Sequence, residues 1–305
     1  MGQCLGRSRS AGRCTVEESS LWRRGGRHLS LVPMSTYRTH VRQPPPMSRI
    51  FRPQALAWAW MLGWVAAAAA QPAPSDPIDD ADALYFDGRV EEAFDLLGEH
   101  LEEHPSDYEA LWRAARAGVV AGVLRQGITS QNERLDPAIV LGDRAVAVRP
   151  DGIEGLYWRG AAEGRRALNA GSNYGARLVQ RVYDDAHAIL ALDPLHGGAH
   201  NLLGRVNYEI MDLPRIGRFL ARRLVGNEAL HDSSWEDAEH HLTRAAELWP
   251  DNVLFQLDLG DLYQRRGRDD EAREQLNKVA EMPAVHPADE YFKDLARRFL
   301  EELGS

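Results

Sequence analysis

The sequence predicts an all-α fold, an α-solenoid of about four to five stacked helical hairpins. Three observations carry that reading. From Asp79 onward apolar residues recur with the helical period, and no run alternates apolar and polar residues long enough to make a strand. Pro105, Pro150, Pro194 and Pro250 each end an amphipathic run, reading HLEEHP, RAVAVRP, AILALDP and RAAELWP. Ten residues after each proline stands a small residue, Ala115, Gly160, Gly204 and Gly260.

The residue types suit close helix pairs. Antiparallel helices approach closely only where one presents Gly or Ala, and a proline opens a unit but cannot continue a helix. Each hairpin leaves an apolar face bare, so several units are required together. The last unit runs Leu259-Gly260, Tyr263, Gly267, Ala272, Leu276, Val279, Pro283. It resembles the tetratricopeptide-repeat (TPR) consensus: a small residue where helix A meets helix B, an aromatic beside it, a turn glycine, a helix-B alanine and a closing proline. Equivalent helix-B positions recur as Ala93 and Leu97, as Ala138 and Ala145, and as Ala238, Leu242 and Ala245.

The proline spacings are 45, 44, 56 and, to Pro283, 33. Only the last matches the TPR period of about 34, so the upstream units are expected to carry long helices or insertions. Within the longest interval Leu213–Gly226 reads LPRIGRFLARRLVG, a short basic amphipathic helix. Ile216, Phe219, Leu220 and Leu224 share one face, with Arg215, Arg218, Arg222 and Arg223 around it. It is expected to plug the end of a groove, lie on a membrane surface or dock a partner.

Ahead of the repeats, residues 47–70 have the layout of a secretory signal peptide. Arg49 and Arg52 form the positive flank, Leu56 to Val65 the apolar core, and Ala68-Ala69-Ala70 an A-x-A site. The apolar run is shorter than the ~20 residues of a membrane span. Cleavage after Ala70 is expected, with an uncleaved anchor as the other reading, and the location expected is periplasmic or secreted. Residues 1–46 are rich in Arg, Gly and Ser without periodicity. They read as an over-extended start, or as a transit peptide. Residues 71–78 form a linker, and 79–305 the repeat domain.

Charge follows the same division. Ten Arg and two acidic residues lie before Gln71, leaving 26 basic and 43 acidic residues in the body, a formal balance of −17. So acidic a body repels phosphate backbones, which argues against a nucleic-acid partner. Both cysteines, Cys4 and Cys14, precede the body, which therefore has no disulfide framework or thiolate nucleophile. Two Lys against 24 Arg in an Ala- and Leu-rich body suggest a GC-rich, bacterial source.

The stretch LLGRVNYEI…RRLVGNEALHDSSWEDAEHHLTRAAELWP, continuing as LGDLYQRRGRDDEAREQLNKVAEMPAVHPAD, resembles the regulator of microtubule dynamics family. The shared features are Leu203-Gly204-Arg205, Tyr208-Glu209, Val225-Gly226 and Met282-Pro283. The resemblance spans Leu84 to Leu300 and is specific over Leu202–Pro283. It implies an all-α, TPR-like protein with no established catalytic centre. Some eukaryotic members are associated with microtubules, and one tethers organelles and binds phospholipid through its TPR domain. The chain is also similar to the periplasmic TPR partners of TRAP transporters, although it lacks their lipid-anchor cysteine. Adjacent permease genes would mark that alternative.

No cofactor motif, G-x-S-x-G or H-E-x-x-H occurs. His196 and His200 are four apart, but Gly197-Gly198 lie between them and no third ligand stands at metal-site spacing, so capping or solvated histidines are expected rather than a metal centre. His240-His241 point to different helix faces. The reading is a non-enzymatic exported scaffold that binds a peptide, protein or lipid-like ligand along the concave face built by the A helices. An enzyme is the rival from another class, and buried polar residues converging in a pocket would favour it. In the TPR register, position five is Trp112, Tyr157 and Asn201, position nine includes Arg116 and Arg205, and position twelve Tyr208. These are aromatic anchors and charge-assisted donors for a ligand. Trp112 and Tyr157 equally suit inter-repeat core, and Arg205 equally suits a pair with Glu209 one turn on.

Overall fold

The computed structural model describes residues 76–214 and 228–304. In it each registered proline is the second residue of a β-turn. The carbonyls of His104, Arg149, Asp193 and Trp249 accept the N–H groups of Asp107, Gly152, His196 and Asn252 at 3.0–3.2 Å. Proline there presets the φ that the turn needs. The fourth residue of each turn is the N-cap of the next helix. Asp107, His196 and Asn252 accept a first-turn N–H through their side chains. Gly152 has no side chain to do so, and a Cβ there would collide with the Tyr108 hydroxyl. That hydroxyl, from the preceding hairpin, instead accepts the Gly155 N–H at 3.1 Å.

The hairpins follow in order: α1 (Pro77–Phe86) with α2 (Val90–Glu103), α3 (Tyr108–Leu124) with α4 (Ile128–Val148), and α5 (Ile153–Leu168) with α6 (Ser172–Leu192). Next comes α7 (Gly197–Asp212), then the single turn α8 (Glu228–Asp232) and α9 (Trp235–Leu248), which packs on α7. Finally α10 (Val253–Arg265) pairs with α11 (Asp269–Glu281), and α12 (Asp289–Leu303) packs on both. Among the described residues there is no strand, and the fold is the helical solenoid expected. Helix α1 starts two residues inside the expected linker, because Asp76 accepts the Ile78 N–H at 2.9 Å and Pro77 fits the first helical position.

Helix length explains the irregular spacing. Helices α3 to α6 run 17, 21, 16 and 21 residues, against 13 each for α10 and α11. The small residues sit where helices touch. A Cβ at Gly204 would come within 2.6 Å of Leu242 on α9, and one at Gly260 within 2.8 Å of Leu276 on α11. At Gly160 the neighbour is Leu202 of the next hairpin, at 3.0 Å. Gly88 and Gly267 turn their hairpins at φ 81° and 70°, where a side chain would be strained.

An ion network ties α4, α5 and α6. Arg159 donates to Asp185 at 2.9 Å and contacts Asp143 at 3.3 Å, while Arg181 pairs with Asp143 and with Glu163 at 2.8 Å. Glu163 is wholly buried, and burial, opposed by the Arg181 charge, pushes its carboxyl up to about 8.

No helix among the described residues is long and apolar enough to cross a membrane. The expected signal at 47–70, the stretch 1–46 and the basic segment beyond Pro214 lie outside the described residues.

Candidate functional site

The first helices of successive hairpins share a cavity of about 350 Å³. It follows α5 from Glu154 to Leu168, about 20 Å at the α-helical rise, alongside α3, α7 and α10. Its walls are mostly apolar, with Val119, Val120 and Val123 from α3, Leu202 and Val206 from α7, and Val179 and Val182 from α6. Helix α12 supplies another wall. Phe292 joins an apolar cluster with Tyr85, Ala117, Val120 and Leu257. The buried Asp289 carboxylate accepts the N–H groups of Val285 and His286 at 2.8 and 2.7 Å, which folds the connection into α12 back towards α1. The Phe86 ring then lies 6.1 Å from that of His286. On the concave side the first helices and α12 thus wall a cavity that remains partly open to solvent.

Four of the six residues read from the register line it: Arg116, Tyr157, Asn201 and Arg205. Arg116 pairs with Asp82, and its guanidinium lies 3.9 Å from the Tyr85 ring centre. Tyr157 packs edge-on to Trp158 and His196, and burial pushes its hydroxyl well above the usual range. Asn201 donates to Asp258 at 2.8 Å. Arg205 pairs with Glu209 and donates to Asp261 at 3.0 Å, with Asp258 at 3.5 Å. Burial opposes the Arg205 charge, and the carboxylates of Asp258, Glu209 and Asp261 outweigh it, holding the guanidinium well above its ordinary pKa. The pairing with Glu209 foreseen in the sequence exists, within a wider network.

The other two residues stand off the cavity wall. Trp112 packs in the cluster under α1 and α2, and its indole N–H donates to Glu109 at 2.9 Å. Tyr208 lies between α7, α9 and α10, donates to Asp261 at 3.1 Å and meets Trp235 edge-on at 5.8 Å. Register reasoning missed Arg165, Glu209 and Asp258, which also line the cavity. Arg165 and Glu209 lie one further helical turn along the stripes Tyr157-Ala161 and Asn201-Arg205, so extending each stripe by four residues finds them. Burial draws the Arg165 pKa below its ordinary value, with Asp258 the strongest opposing charge.

His196 acts as the cap of α7, accepting the Ala199 N–H at 3.0 Å between the rings of Tyr157 and Trp249. His200 Nε2 lies 3.2 Å from the Pro194 carbonyl, and its Nδ1 lies 2.9 Å from His241 Nδ1. A neutral His200 donating to that carbonyl receives its second hydrogen bond from His241. Burial, with the charge of His200 next, pulls the His241 pKa down to about 4. Among the described residues no group of three His, Cys, Asp or Glu side chains is arranged to hold a metal ion. Polar side chains do converge in the cavity. However, Asn201, Arg205, Glu209, Asp258 and Asp289 bind one another or backbone groups, and no Ser, Thr, Cys or Lys stands among the described lining residues. The arrangement can hold a ligand; it shows no nucleophile beside a base.

Comparison with known proteins agrees with this architecture. A tetratricopeptide-repeat protein of Thermus thermophilus superposes with a TM-score of 0.53 at 23% identity, covering 74% of this chain and 97% of that one. Regulator of microtubule dynamics protein 2 of Bos taurus is 26% identical over 211 residues, covering 67% of this chain. Protein 1 from the same animal is 26% identical over 237 residues, 73% of this chain and 70% of its own length. The chain spans about half (49%) of the length of protein 2. The model of the regulator of microtubule dynamics protein 1-3 family matches residues 78–304, and the chain belongs to that family.

Proposed function

We propose that the protein is an exported, non-catalytic binding module that holds an elongated, largely apolar ligand in its concave cavity. The carrying observation is the cavity itself, which runs along α5 between mostly apolar walls, with its polar groups mostly satisfied by one another. Such a site binds by removing apolar ligand surface from water, and its few polar groups fix orientation. A volume of about 350 Å³ suits a lipid-like chain or a single apolar peptide segment better than a folded partner. The TPR-like scaffold supports an interaction role, and the signal-like segment 47–70 supports work outside the cytoplasm. Regulation of microtubules, which the relatives' names describe, needs tubulin, a cytoplasmic partner that export would leave behind.

Native mass spectrometry of the chain from Gln71, released gently from the purified protein, tests the reading. A co-purified apolar molecule or peptide is expected. In parallel, N-phenyl-1-naphthylamine, an uncharged probe that fluoresces in apolar surroundings, should bind with one site per chain. An empty protein that also fails to take up the probe would end the cavity reading. Fractionation of cells expressing the full chain, with and without residues 47–70, tests export separately.

A further inference from the structure

The cavity holds three arginines, and two of them are occupied. Arg116 is paired with Asp82 and stacked on Tyr85. Arg205 is shared among Glu209, Asp261 and Asp258. Arg165 is different: among the described residues it makes no ion pair and no hydrogen bond, and its guanidinium faces the Phe292 ring at 5.8 Å. The carboxylates nearby are already engaged. Glu209 is on Arg205, Asp258 is on Asn201 and Arg205, and Asp289 accepts two backbone N–H groups. Glu154 sits at the solvent-exposed end of α5, three turns from Arg165. A guanidinium has five donors and stays charged, so leaving it inside an apolar cavity without an anion is costly.

Its position adds a second observation. A smaller and more polar cavity of about 200 Å³ shares Val123, Arg165 and Leu168 with the large one, and is otherwise lined by Gly122, Gln131, Leu135, Asn169 and Tyr291. The Asn169 amide donates to Gln131 at 3.0 Å and to Asn132 at 3.1 Å, and the Gln131 amide donates to the Arg125 carbonyl at 3.2 Å, which leaves the Tyr291 hydroxyl and one Gln131 N–H to meet a ligand beside Arg165. Arg165 therefore stands at the boundary between an apolar chamber and a polar one.

We infer that Arg165 is the anion-accepting residue of the site, and that the ligand carries one negatively charged group on an otherwise apolar body. The apolar body lies along α5, and the charged group meets Arg165 where the two chambers adjoin. This inference rests on the cavity reading above and adds the ligand's charge to it.

A matched pair of probes separates the two claims. 8-Anilinonaphthalene-1-sulfonate is N-phenyl-1-naphthylamine with a sulfonate added. A charge-assisted contact made in a desolvated site should favour the sulfonate by about tenfold or more in Kd over the neutral probe. Arg165→Met, which keeps the apolar stem, should abolish that preference and leave binding of the neutral probe intact, and Arg165→Lys should restore part of it. The wild-type comparison needs no variant, so it stands even if Arg165→Met folds poorly. If the neutral probe binds and the sulfonate binds no tighter, the inferred charge is wrong while the cavity reading survives. A sulfonate preference that persists in a folded Arg165→Met overturns the assignment to this residue. Failure of both probes removes the cavity reading and this inference together.

Discussion

Replacing Glu163 by Gln at the junction of α4, α5 and α6 should stabilise the protein, and by an amount that grows with pH. The Glu163 carboxyl is fully buried, and burial raises its pKa from 4.5 to about 8 in the folded chain. Above 4.5 the unfolded chain gives up this proton while the folded chain keeps it. The folded state then binds more protons, so stability falls as pH rises, until the folded group also ionises near 8. Each pH unit in that window costs about 1.4 kcal/mol, so the loss reaches about 3 kcal/mol at neutral pH. Gln has the same shape and never ionises, so it escapes the loss and gives up only the contact with Arg181, whose side chain is 41% exposed. Urea denaturation followed by circular dichroism at constant ionic strength measures this at pH 4.5 and pH 8. The two proteins should be of similar stability at the lower pH, and the variant more stable by about 4 kcal/mol at the higher one. Lower stability of Glu163→Gln at pH 8 would mean that the ion pair with Arg181 outweighs burial, and the reasoning would fail.

Four further outcomes follow from packing and charge. Gly204→Ala should cost about 2 kcal/mol, because its Cβ would press on the Leu242 side chain and on its backbone nitrogen at 3.0 Å. The same change at Gly98, a helical position with nothing within 4 Å, should stabilise by up to about 1 kcal/mol in the same melts. Tyr108→Phe leaves the buried Gly155 N–H without its acceptor and should cost about 1–2 kcal/mol, with hydrogen exchange at Gly155 rising first. His241 has a folded pKa of about 4, below its ordinary 6.5, so it stabilises the fold above 6.5 and that contribution drains away as pH falls to 4. His241→Gln should flatten that part of the acid limb, as read by thermal melts across the window, and an unchanged limb would clear His241 of any part in it.

What could be read in advance was local. A proline in each turn and a small residue ten residues on recur in one register, so Pro150, Gly160 and their counterparts reveal the repeat without coordinates, although Gly160 meets Leu202 of the next hairpin and not its own partner helix. The substitute cap was not legible, since Gly152 lacks a side chain and its helpmate Tyr108 lies 47 residues before the N–H it accepts. Nor was the closure of the concave side, which depends on angles accumulated over five hairpins before Phe292 reaches Tyr85 and Val120. That closure also decided the candidate site. Trp112 shares a register position with Tyr157, but α1 and α2 cover the first and the cavity lies open to the second. Arg165 was within reach, because it continues the Tyr157-Ala161 stripe by four residues.

The contrast between Arg205 and Arg165 bears on how binding and folding are coupled here. Arg205 has three carboxylates around it, so its network is complete without a ligand, and removing it would strand buried acids. A loss of binding in Arg205→Ala would therefore report collapse of the α7–α10 contact as readily as loss of a ligand group. Arg165 is the opposite case. Its cost falls on the empty protein and is relieved only when an anion arrives, so the free-energy gain of the charge contact appears in the bound state alone. Ligand binding to the folded form raises stability in proportion to the logarithm of ligand concentration over Kd. An anionic ligand should thus raise the melting temperature of the wild-type chain more than that of Arg165→Met, while a neutral ligand should raise both alike. Arg165, which makes no ion pair among the described residues, is thus the residue through which the charge of a ligand can change the stability of the fold.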